Sequence, residues 1–257
     1  MNTVASVGLA TRCVVAAACV LALAGRVGAA TVDHAPWTAI LQQYVDDDGR
    51  VAYRRLLTES RAQFETYLQT LAAADPEALP EKERLAFWLN AYNATIVAGV
   101  LDGYSAENAF KRLRLFKTFE RPIAGAERSP EGIEHGIIRP RFADPRTHFA
   151  LVCASTSCPK LRREAYIGER LDAQLDDQAR GFLSDRRRNI IDPATQTLAL
   201  SQIFDWFAGD FTAGGQALAD RLAPYLTAEQ AVLLRDRKPT YLEYDWTMNA
   251  QPGQRPQ

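Results

Sequence analysis

Beyond residue 30 the chain keeps two cysteines, Cys153 and Cys158, and three histidines, His34, His135 and His148. A cysteine attacks as thiolate, so a cysteine nucleophile needs a nearby base, and the base needs a group that orients it. His34 stands at the start of this region and is not expected to take part. Thr147 to Ala154 reads as a strand, which places His148 and Cys153 five positions apart on opposite faces, roughly 16 Å from each other at ~3.3 Å per residue. His135 is the better base. It lies on a short helix opened by Ser129-Pro130 and expected to stop before Pro140, with Glu131 and Glu134 close enough to orient the ring. Cys153 leads into Ala154-Ser155-Thr156-Ser157, where Ser155 and its neighbours can offer hydroxyl and N–H groups to a developing oxyanion.

Each of these residues has a blander role available. Cys153 can be a small apolar filler, or it can pair with Cys158 across four residues, which is enough chain to close a disulfide. A cycling dithiol is a third role, although the spacing is wider than the usual two-residue redox motif. Asn90 and Asn93 share one face of an apolar helix. A buried amide must be hydrogen-bonded, either to a neighbouring loop or to a ligand. Arg139 and Asp210 are charges in apolar surroundings and can pair. No metal site is expected, because the strand separates His148 from Cys153 and Cys158 and no close ligand pair has zinc spacing. No cofactor is expected either.

The elements around these residues read as follows. Helices are expected over 37–44, 61–74, 83–101, 169–183 and 227–235, the third being apolar around most of its circumference. Short strands are expected at 51–53, 147–154, 198–204 and 240–246. Asp46-Asp47-Asp48-Gly49 reads as a turn, since setting Gly49 at the glycine position of a calcium-binding loop leaves Tyr44 and Arg55 at ligand positions. Trp206, Phe207 and Phe211 are expected in the core, and the end of the chain from Gln251 is expected to fray. Helices outnumber strands and do not alternate with them, which indicates α+β rather than a doubly wound sheet.

Three runs are distinctive together: Phe87-Trp88-Leu89-Asn90-Ala91-Tyr92-Asn93, Glu134-His135-Gly136-Ile137-Ile138-Arg139, and Cys153-Ala154-Ser155-Thr156-Ser157-Cys158-Pro159. With Tyr44-Val45, Asp48-Gly49 and the aromatic stretch Phe204 to Phe211, they make the chain resemble the domain of unknown function 547 (DUF547) family over nearly all of residues 31–250. The resemblance implies export for bacterial members. It also implies that Cys153 and the Glu134-His135 pair recur in plant members, which place Ser where Cys158 stands. The expected fold is a helix-rich α+β domain around a small, mostly antiparallel sheet, resembling a permuted papain- or transglutaminase-like thiol hydrolase.

The first thirty residues read as a signal peptide. An apolar run from Cys13 to Gly25, shorter than the ~20 residues a spanning helix needs, precedes Val27-Gly28-Ala29-Ala30, small residues that suit cleavage. A periplasmic or secreted protein is expected. Residues 1–30 carry two of the 30 basic residues and none of the 31 acidic ones, so the remainder has a net charge of −3. That balance gives no electrostatic reason to expect nucleic-acid or anionic-membrane binding. Two functions are compatible with this inventory. One is a cysteine-dependent hydrolase or acyl-transferase for amide or thioester-like bonds, using Cys153, His135, Glu134 and Ser155. The other is a binding module for a small molecule, lipid headgroup or peptide, with Asn90, Asn93, Arg139 and Cys158 in structural or binding roles.

Overall fold

In a computed structural model, residue 1 and residues 31–256 are described; the expected signal peptide lies outside them. Helices α2 (Tyr53–Glu59) and α3 (Arg61–Ala73) pack against α4 (Glu81–Leu101), and α1 (Ala35–Tyr44) packs on α2 and α3. Glu81 and Glu83 sit in the first turn of α4, where they complement the helix dipole. From Leu85 to Leu101 every residue of α4 is buried, as its all-round apolar pattern requires. Gly99 lets the next segment approach closely: a Cβ there would come within 2.5 Å of Leu115.

Polar side chains on such a helix must find partners inside the protein. Asn90 donates to the Tyr166 carbonyl at 2.8 Å and accepts from the Tyr166 N–H at 2.9 Å. Asn93 treats the next loop the same way, donating to the Ala150 carbonyl and accepting from the Val152 N–H, both at 2.9 Å.

The chain continues through α5 (Ala109–Leu113), a π-helical turn (Arg114–Thr118), and the hairpin β1 (Arg121–Ile123)–β2 (Ala126–Arg128). Next come α6 (Pro130–Ile133), a second π turn (Glu134–Ile138) and α7 (Arg139–Phe142). Ser129 caps α6, accepting from the Gly132 N–H. The helix does not stop before Pro140. The π turn bonds the Arg139 N–H to the Glu134 carbonyl, and Pro140 enters as an early residue of α7, where its missing N–H is harmless.

The expected strand 147–154 is absent. Residues Pro145–Phe149 form a 3₁₀ helix, capped by Asp144 and entered through Pro145. That Asp-Pro pair is itself a helix-start signal. Arg146 pins the turn to Asp172 and Asp176 of α8 (Leu171–Ser184), both at 2.8 Å.

Beyond α8, β3 (Ile190–Asp192) pairs antiparallel with β4 (Thr197–Leu200), which pairs in parallel with β5 (Thr240–Tyr241). Helices α9 (Ile203–Trp206), α10 (Ala208–Phe211), α11 (Leu218–Leu222) and α12 (Ala228–Asp236) complete the set, the last opened by the capping box of Thr227 and Gln230. Both later strands are shorter than expected, because β4 gives way to α9 and β5 ends at Tyr241. Residues 242–246 still alternate half-buried and exposed in an extended chain. Tyr53 starts α2 rather than ending a strand. The turn at Gly49 forms as expected, with φ 75° and the Asp46 carboxylate accepting from the Asp48 and Arg50 N–H groups.

The chain end is held further than expected, since Gln251 pairs with Val51 and the Arg54 N–H donates to the Gln254 carbonyl. The fold is helix-rich α+β with small sheets of two and three strands. Two apolar clusters fill it, one around α4 and one around Phe149, Phe182, Phe204 and Phe211.

Replacing Asn90 by Ala strands a buried carbonyl and N–H of Tyr166. We expect a loss of about 1–3 kcal/mol in urea unfolding; an unchanged midpoint would mean that the 165–166 loop relaxes to water.

Candidate functional site

The two π turns and the segment 148–159 meet around one cleft at the seam between the apolar clusters. Its walls include Phe116, Glu131, Glu134, His135, His148, Cys153, Cys158, Trp206, Phe207, Tyr244 and Trp246, and its volume is about 200 Å³. That is below the ~300 Å³ usual for whole-ligand sites, so it suits one end of a ligand.

The 3₁₀ turn reverses the expectation for His148, which lines this cleft together with Cys153. His148 is buried against Phe207, with ring centroids 4.0 Å apart, and burial lowers its pKa to about 4. Its Nε2 lies 2.7 Å from Asp210 Oδ2. Asp210 is held below the usual carboxylate range, chiefly by its hydrogen bond to Arg139. Neutral His148 therefore donates from Nε2 to an ionised Asp210, which leaves Nδ1 as its basic nitrogen.

Arg139 and Asp210 pair as expected, at 2.6 and 2.9 Å. Arg139 also lies 2.6 Å from His135 Nδ1. A guanidinium only donates, so His135 Nδ1 must accept and its proton sits on Nε2. Burial and Arg139 both lower the His135 pKa. The carboxylate that orients a histidine here is thus Asp210 on His148, not Glu131 or Glu134 on His135.

Glu134 keeps part of its surface open, yet burial of its carboxyl raises the pKa to about 7 despite the neighbouring Tyr92 hydroxyl and Arg139. Near neutral pH it is a carboxyl poised between donor and acceptor.

Cys153 and Cys158 form a disulfide. The bonded sulfurs lie along the cleft, with the Tyr244 hydroxyl 3.3 Å from Cys153 Sγ and 3.4 Å from Cys158 Sγ. Ser155 is buried, its Oγ 3.0 Å from Cys153 Sγ. Two of the N–H groups expected to serve an oxyanion are engaged elsewhere, Thr156 with the Thr247 carbonyl and Ser157 with the Asp245 carbonyl. Asn90 and Asn93 lie behind the cleft rather than in its wall, and Asn93 fixes the backbone just before Cys153.

Sequence reasoning missed the aromatic walls. Trp206 is 46% exposed and stacks with Trp246 at 5.7 Å, while Tyr244 packs 4.5 Å from Trp246. Of the three aromatics expected in the core, only Phe211 is fully buried. The alternation over 242–246 was the available signal, since it turns Tyr244 and Trp246 to one side.

Residues 76–183 match the model of a family described as protein of unknown function, DUF547. Over these residues the chain is similar to the DUF547 family. The match spans α4, both π turns, the disulfide and α8. No curated protein and no solved structure matches the chain.

Glu134 binds a proton more tightly in the folded than in the unfolded chain, so its ionisation costs stability as pH rises from about 4.5 to about 7. His148, with its lowered pKa, costs stability as pH falls from 6.5 toward about 4. Glu134→Gln cannot ionise, so relative to wild type it should be more stable at pH 8 than at pH 4.5. Urea titrations at the two values check this, and an equal difference at both would disprove the burial of Glu134.

Proposed function

We propose that this cleft binds one end of a small molecule or peptide. Its aromatic walls would take an apolar or ring-shaped part, and Glu134 and His135 would meet a polar group. The observation that supports this reading is a cleft walled by Trp206, Tyr244 and Trp246 whose one sulfur pair is locked as a disulfide. In that state Cys153 has no thiolate. We propose further that residues 1–30 export the chain to the periplasm or beyond, where such a disulfide persists.

A second reading is supported by the His148–Asp210 pair. Given a dithiol reductant, the Cys153–Cys158 bond would open as the reductant is oxidised to its own disulfide. Cys153 would then lose its proton to His148 Nδ1 and attack an amide or thioester carbonyl. The C–N or C–S bond would break as His148 returns the proton to the leaving group, and water would release the acyl group from Cys153. This retains Cys153 as nucleophile and moves the base from His135 to His148.

Two experiments separate the readings. Ligand screening by tryptophan fluorescence should find saturable binding that Trp206→Ala weakens by about tenfold, roughly the worth of one stacked aromatic; binding indifferent to Trp206 would remove the first reading. Iodoacetamide labelling should leave both cysteines unmodified until dithiothreitol is added. After reduction, the thiol reading expects Cys153 to alkylate well below the ordinary thiol pKa of about 8.5. His148→Ala should then slow that reaction while His135→Ala does not, and equal rates in both variants would leave only the binding reading.

A further inference from the structure

We infer that residues 109–118, at the rim of the cleft, dock the protein onto an anionic lipid surface. The inference stands apart from whatever chemistry the cleft performs. Helix α5 and the π turn after it turn Leu115 inward, against Gly99. On the outside, Phe110 is 69% and Leu113 50% exposed, two of the few large apolar side chains left open among the described residues. Exposed Lys111, Arg114 and Lys117 surround them, and Arg112 lies over the Trp246 ring at 4.1 Å.

The acidic groups facing this patch are Glu107, 3.7 Å from Lys111, and Glu131, 3.0 Å from Lys117. Both lysines are solvent-exposed, which screens their pairs with the half-buried carboxylates, and Glu107 also pairs with Arg255. The Arg114 guanidinium lies over the Tyr104 ring, 5.1 Å from its centroid. Two adjacent apolar side chains set among cations match the layered chemistry of a membrane interface, with acyl chains beneath and phosphates above. The overall charge of the chain gives no reason to expect such binding, so the attraction is local to this segment.

The position of the patch adds to the argument. Phe116 of the same segment and Trp246 beneath Arg112 both belong to the cleft wall. Docking through Phe110 and Leu113 would therefore bring the cleft mouth close to the bilayer surface. No described helix is long and apolar enough to cross a membrane, so the contact would be peripheral.

Co-sedimentation of the purified protein with vesicles tests this. Vesicles of phosphatidylglycerol and phosphatidylcholine in equal parts should bind it far more tightly than phosphatidylcholine alone, and added salt should release it. Binding to phosphatidylcholine alone reports any contribution of the apolar run at 13–25, which every variant shares. Lys111→Gln with Arg114→Gln should weaken anionic binding by at least about tenfold, each cation near the surface being worth about fivefold. Phe110→Ser with Leu113→Ser should weaken it as well, with unchanged circular dichroism. Equal binding to both vesicle types, or full binding by both double variants, would overturn the inference. So would light scattering showing that the patch joins two copies of the chain and that the serine variant separates them.

Discussion

A helix walled in from Leu85 to Leu101 cannot turn a polar group there to water, and α4 carries two asparagines in that situation. Each amide has one donor and one acceptor direction set like the edge of a β-strand, and each is matched by a loop that presents a carbonyl and an N–H at that spacing. The loops are thereby positioned by hydrogen bonds rather than by belonging to a sheet. Residues 149–152, on which the cleft depends, have almost no sheet partner of their own. Asn93 substitutes for the missing strand, and because it holds Ala150 and Val152, His148 and Cys153 emerge on either side of a fixed point. An aliphatic residue at Asn93 would leave two buried backbone groups unpaired, a cost of about 1–3 kcal/mol each, and would loosen the part of the chain where the cleft needs most precision.

The charges around Asp210 and Glu134 interlock. Arg139 is a half-buried cation beside the cleft, and its bidentate pairing with Asp210 leaves little charge to spare. Asp210, kept ionised by Arg139, can accept from His148, and burial against Phe207 keeps that imidazole neutral. Glu134 then has no cation of its own, which is why burial dominates its titration. Below about pH 7 Glu134 presents a neutral carboxyl beside the neutral His148 imidazole and the aromatic faces; above it, Glu134 becomes a negative charge. A ligand with an amine or hydroxyl end would meet a proton acceptor in the second regime and a donor in the first.

The helices were legible because their signals are local. The capping box at Thr227, the cap at Ser129 and the apolar circumference of α4 depend on residues a few positions apart. The segment 147–154 was misread for the same reason. Its apolar run suits a strand, whereas the Asp144-Pro145 start signal and the anchoring of Arg146 by α8 favour a 3₁₀ turn, and the second of these is a contact across 26 to 30 residues. With the strand went the argument that kept His148 from Cys153. The His148–Asp210 pair spans 62 residues, so no spacing rule could have revealed it, although the Arg139–Asp210 pairing was a pointer to the right carboxylate. The π turns left no recognisable trace in the sequence, yet each widens a helix by one residue beside the cleft, one turn presenting Phe116 and the other Glu134 and His135.

The disulfide loop bears on both readings of the cleft. Ala154 takes a left-handed conformation with φ 60°, which costs a non-glycine residue about 1–2 kcal/mol and must be offset by its surroundings. The surroundings do so without sulfur. Thr156 and Ser157 bond to Thr247 and Asp245, Asn249 bonds to Ala154, and buried Arg188 donates to the carbonyls of Thr156 and Cys158. A cross-link across so few residues adds only about 2 kcal/mol of loop-closure entropy, against at least five independent hydrogen bonds holding the same turn. Reduction should therefore leave the loop in place, with Cys153 still at the cleft beside Tyr244. The bond is then dispensable for the fold, and its consequence is chemical: it determines whether the sulfur facing the cleft is inert or a thiol.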